Sequence, residues 1–145
     1  MTLRDSLRAY LQADSTLMGW LSGGLLDANS LPKDGGGMSS VPLAGDGLTI
    51  LPFAILRWGV TTPKEIVRNS ERRNLAIFIY QESGYGQIEA VQARLKMRLH
   101  RQRLSASDAG IAMCHWLNDT GEFPAPEFGN CAGSISRYVV DYIRK

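Results

Sequence analysis

The chain is poor in the residues that build reactive or stapled sites: 145 residues hold only two cysteines and two histidines. Cys114 and Cys131 are too few for the disulfide framework of a small secreted domain. Cys114 stands next to His115, but neighbours on a strand point to opposite faces, so the two cannot share an ion. No Cys-x-x-Cys or His-x-x-x-His spacing supplies a zinc site, and neither cysteine sits in a recognisable nucleophile signature. The fourteen acidic residues are dispersed rather than paired in an acid–base motif. Gly35-Gly36-Gly37 and Gly84-Tyr85-Gly86 complete neither a Gly-x-Gly-x-x-Gly pattern nor a phosphate loop. The expectation is therefore no enzyme: no catalytic residue, no metal and no cofactor.

Long apolar runs are missing as well. Nothing approaches the roughly 18 to 20 apolar residues of a membrane span, and Arg4, Asp5 and Arg8 interrupt any leader-like run at the N-terminus. A reducing cytoplasm is the expected place of synthesis. Charge of one sign is also scarce overall, with a net charge of +2 and a pI near 8.7. It is concentrated, however: Arg94, Lys96, Arg98, Arg101 and Arg103 follow the single acid Glu89. Such a cluster is either a solvated helix face or a surface for phosphate or an acidic protein.

What is present suits an ordinary globular domain. Apolar residues make up 44% and charged residues 21%, far from the composition of disorder. Leu3, Leu7, Tyr10 and Leu11 share a helical face, with Thr2 placed to cap and Asp5 three residues on. Asp14 or Ser15 caps a second short helix carrying Leu17, Met18, Trp20 and Leu21, which Gly23 and Gly24 end. Residues 27–49 are rich in Gly, Ser, Asn, Asp and Pro and read as a long irregular loop or arm. Residues 51–60 alternate as a strand, with Phe53, Ile55 and Arg57 on one face. The polar stretch 61–72 reads as a charged connection. Leu75, Ile77 and Ile79 face one way and Ala76, Phe78 and Tyr80 the other, which predicts a strand covered on both sides.

Ile88, Val91, Leu95 and Leu99 make the strongest helical stripe, over residues 87–104. Residues 111–117 read as a strand and 122–133 as a Pro/Gly loop. In 134–143, Ile135, Arg137, Val139 and Asp141 alternate with Ser136, Tyr138, Val140 and Tyr142, giving a closing strand. The expected fold is α+β in one domain over 1–145. It has a mainly antiparallel sheet of about four strands, an N-terminal helix and one long amphipathic helix packed on it.

The order of these elements resembles the tail terminator (tail completion) proteins of long-tailed bacteriophages and phage-like particles. The resemblance rests on the N-terminal helix Leu3 to Leu11, the irregular stretch before Leu51-Pro52-Phe53-Ala54-Ile55, and the strand Arg73-Asn74-Leu75-Ala76-Ile77-Phe78-Ile79-Tyr80. Tyr85-Gly86-Gln87-Ile88 then opens a helix, Asn118-Asp119-Thr120-Gly121 connects, and Ser136-Arg137-Tyr138-Val139-Val140-Asp141-Tyr142 closes. It is a pattern of elements over nearly the whole chain, and the 27–49 insertion and the basic helix go beyond it.

The resemblance implies a virion protein that forms a ring, usually of six copies, on the head-proximal end of the tail tube. Such a ring stops tube polymerisation and offers a surface to the head–neck connector proteins. The implied partners are other copies of the chain, the tail tube protein and the connector, with nucleic acid only as DNA passing through the lumen and no membrane. Arg68, Arg72, Arg73, Arg94, Arg98 and Arg101 are the expected contacts to acidic surfaces of neighbouring subunits or tube protein. Two other functions stay open on the residues alone. One is another neck protein, a head completion or stopper subunit. The other is a small nucleic-acid-binding protein using the basic helix 94–103.

Overall fold

A computed structural model of the chain describes residues 2–27, 49–63, 70–105, 111–126 and 131–143. Helix α1 spans Leu3–Gln12 and α2 spans Ser15–Trp20; strand β1, Gly24–Asp27, follows. Then come β2, Phe53–Pro63, β3, Ser70–Gln81, and helix α3, Gly86–Leu99. The chain continues with β4, Arg103–Ser105, β5, Ile111–Asp119, β6, Phe123–Ala125, and β7, Cys131–Ile143. Most of the predicted 27–49 arm lies outside the described residues, as does Arg68.

Local chemistry fixes the helix starts. Thr2 Oγ1 accepts from the Asp5 amide at 3.2 Å and donates to Asp5 Oδ2 at 2.7 Å, a reciprocal cap. Asp14 Oδ1 accepts from the amides of Thr16 and Leu17 at 3.1 and 3.3 Å. Helix α3 has no capping side chain of its own at Tyr85. Gln81 at the end of β3 serves instead, its Oε1 accepting from the amides of Gln87 and Ile88 at 2.9 and 3.1 Å. The helix start is thereby tied to the sheet.

The expected fold class is overturned. The described residues form one curled, mixed sheet of seven strands in the order β1-β2-β3-β7-β5-β4, with β6 paired to β7. It is not a four-stranded antiparallel sheet carrying a long helix. Strand β1 pairs parallel to β2, Gly24 opposite Phe53, while the other pairings are antiparallel. Three strands that the sequence reading passed over are short: β1 has four residues, and β4 and β6 three each. Strands that short carry too few alternations to register as a pattern and exist because a longer neighbour pairs with them. Pro124 in β6 is tolerated because that strand lies at an edge. Helix α3 stops at Leu99 instead of near residue 104. His100 turns extended, and Arg101 takes φ +60°, a left-handed conformation that no α-helix continues.

All three helices pack on one face of the sheet. Leu3, Leu7 and Leu11 from α1 and Ile88, Val91, Leu95 and Leu99 from α3 are buried against Leu56, Leu75, Ile77 and Val140. Among the described residues the opposite face is covered at one end, where Ile50, Phe53, Ile55, Tyr80, Ala125 and Cys131 form a second, small core. Phe53 and Tyr80 stack there with ring centroids 5.0 Å apart, and Phe123 meets Tyr80 edge-on at 6.3 Å. The prediction that the central strand would be covered on both sides is thus corrected. Toward its other end β3 exposes Asn74 and half-exposes Ala76 and Phe78.

Candidate functional site: the open face of the sheet

The basic residues singled out from the sequence divide among different environments. Arg94 and Arg98 do come together, but on a carboxylate of the same chain. Arg94 Nε and Nη2 donate to Asp14 Oδ2 and Oδ1 at 2.8 and 3.1 Å. Arg98 Nε lies 3.3 Å from Asp14 Oδ2, near enough for charge attraction but off the line a hydrogen bond needs. The Arg98 guanidinium also sits 4.8 Å over the Tyr10 ring, and Tyr10 donates its hydroxyl proton to the Arg98 carbonyl at 2.8 Å. These contacts clamp α3 to α1 and α2.

Arg72 makes a two-pronged pair with Asp141 across the β3–β7 register, at 2.7 and 3.2 Å, and His115 Nε2 lies 3.6 Å from the same carboxylate. Arg73, the next residue, points to the helix-bearing side and lies 5.0 Å over the Trp58 ring. Arg101 is exposed, and its amide donates to the Cys114 carbonyl at 2.7 Å.

Asp14 carries the clearest electrostatic signature. Its hydrogen bond from Arg94 holds its carboxyl below the usual range, against the opposing pull of burial. A group with a lowered folded-state pKa contributes stability that is present above its unfolded value near 3.8 and is lost as pH falls through the folded value. The Asp14→Asn variant is therefore expected to show a flatter stability profile below about pH 4 than the parent, measured by urea unfolding from pH 2 to 6. Identical slopes would remove the Asp14–Arg94 pair from the acid response.

Burial pushes the Cys114 thiol up to about 12, so it stays protonated and unreactive at neutral pH. Cys131 is raised by burial and then by the Glu82 charge. Tyr138 is raised by burial first and then by Asp119 and Cys114. Among the described residues no group of three or more His, Cys, Asp or Glu side chains is placed to hold a metal.

The surface that stands out is the part of the sheet that the described residues leave open. A depression of about 360 Å³ is lined by Arg57, Gly59, Asn74, Ala76, Phe78, Leu117 and Arg137, with Leu75 and Tyr138 beneath. Arg57 and Arg137 both lie in register with Ala76, on either side of it. Two strand spacings separate their backbones by roughly 9 to 10 Å. Neither forms an ion pair with another described residue. Leu117, at the irregularity between Trp116 and Asn118 in the β5–β7 pairing, is 50% exposed at the rim.

Arg57 and Arg137 were absent from the sequence-based set because each stands alone on its strand. The signal was their alternation: Arg57 with Phe53 and Ile55, Arg137 with Ile135 and Val139. A lone arginine on an otherwise apolar strand face marks a face that is not wholly core.

A second depression of similar size lies at the end of the sheet where α3 begins, between α3 and the β5–β6 connection, rimmed by Tyr85, Glu89, Asp119 and Glu122. Residues 74–93 and 117–136 contain no lysine or arginine. Glu82, Glu89, Asp119 and Glu122 are all exposed, and none has an ion-pair partner among the described residues.

No protein-family model and no curated protein sequence matches the chain. Among solved structures, a chain from the virion of a native gene transfer agent (GTA) particle is similar, with a TM-score of 0.68 over 98% of this chain and 95% of that one. The two are 15% identical, so what they share is the fold.

Proposed function

We propose that the chain is a structural subunit of a phage-like virion, acting as a tail terminator: a ring on the head-proximal end of the tail tube that stops its growth and presents a surface to the neck. The observation that carries this reading is the fold shared, over nearly the full length of both chains, with a component of a gene transfer agent virion. The element order that resembles terminators supports it independently. The mechanism is mutual capping of binding surfaces, with no bond made or broken. Subunits contact one another head to tail and close into a cycle. Its partners are further copies of itself, the tube protein and the connector, and DNA passes through the lumen.

A nucleic-acid binder using the basic helix is less well supported, because Arg94 and Arg98 are occupied by Asp14 and Tyr10. Light scattering on the purified protein, alone and with short duplex DNA, separates the two. The ring reading predicts a closed oligomer without DNA, six times the 16.0 kDa chain mass for a six-fold ring. A monomer that gains mass only with DNA would reverse the choice.

A further inference from the structure

We propose that the Arg57–Arg137 groove receives the acidic end of a second copy of this chain. The inference rests on the ring reading and assigns it a specific contact. Two guanidinium groups that form no ion pair with another described residue flank a depression floored by Ala76 and Phe78 and rimmed by Leu117. An apolar floor with arginines at its edge suits a protein side chain as anchor and carboxylates as its flanks. The chain itself supplies that complement. Glu82, Glu89, Asp119 and Glu122 crowd one end of the sheet, where Tyr85 and Phe123 are half-exposed.

Among the described residues each patch carries charge of one sign without an ion-pair partner, and each is what the other lacks. The groove lies on a face of the sheet, while the acidic patch lies at the ends of its strands. The contact is therefore head to tail, and it closes into a ring when the rotation between successive copies divides a full turn.

Charge exchange tests the contact. Arg57→Glu with Arg137→Glu makes the groove acidic; Glu82→Lys, Glu89→Lys and Glu122→Lys together make the end basic, three lysines against Asp119. Arg57, Glu82, Glu89 and Glu122 are exposed and Arg137 is half-exposed, so both variants are expected to keep the parent's circular dichroism and melting cooperativity. Each variant alone is expected to lose the oligomer and elute at monomer mass. Mixed one to one, they are expected to recover it, because each variant's groove then meets an end of opposite sign. Folded variants that keep the parental oligomer mass, or monomers that stay apart on mixing, would overturn the groove contact while leaving the ring reading intact. A parent that is monomeric at every concentration would overturn both.

Discussion

Leu95→Ala is expected to destabilise the protein by about 2–5 kcal/mol, the range for a fully buried leucine cut back to alanine. Leu95 has no exposed surface and sits in the middle of the α3 stripe, between Val91 and Leu99, within the larger core. The helix is held at its start by Gln81 and, beside Leu95, by the Arg94–Asp14 pair. The site therefore collapses little around the lost methyl groups, which puts the effect in the upper half of that range. Urea unfolding with the slope held common to parent and variant reads it directly. A loss below about 1 kcal/mol would mean that α3 does not pack on the sheet through this stripe.

Asp14→Ala comes second, at about 2 kcal/mol. Most of that reflects the lost helix cap on Thr16 and Leu17. The missing partner of Arg94 and Arg98 adds little, because both guanidinium groups retain contact with water. Asp14→Asn divides the effect, because the amide oxygen still accepts from the two backbone amides while the charge is gone. The asparagine variant is expected to fall between parent and alanine. If both variants lose the same amount, the ion pair dominates; if asparagine equals the parent, the cap does.

These two substitutions also show what was legible without coordinates. The leucines at positions 3, 7 and 11 and the stripe from Ile88 to Leu99 recur at helical spacing, and that spacing is a property of the chain alone. Thr2 with Asp5, and Asp14 before Ser15, are capping chemistry that acts within a few residues. The sheet was misjudged because its strand count depends on distant pairing. Gly24-Leu25-Leu26-Asp27 becomes a strand only by lying parallel to Phe53–Leu56, and Phe123-Pro124-Ala125 only beside Cys131–Gly133. The end of α3 was partly readable, since the positions that would extend the stripe past Leu99 are Gln102 and Arg103, both polar.

The candidate site was less legible than the fold, for a physical reason. A run of arginines on one helix is conspicuous in sequence, yet Arg94 and Arg98 stand opposite Asp14, eighty residues or more away, and close the charge internally. Arg57 and Arg137 are eighty residues apart in sequence and become neighbours only through their shared pairing with Ala76. Their importance comes from the register and from the placing of all the described helices on the other face.

The proposed terminator role is tested most directly by electron microscopy of particles assembled without this chain. Tails that run past their normal length, restored to it when the chain is supplied in trans, are the predicted result. Tails of normal length that fail to join heads would contradict the terminator role and place the protein in the neck.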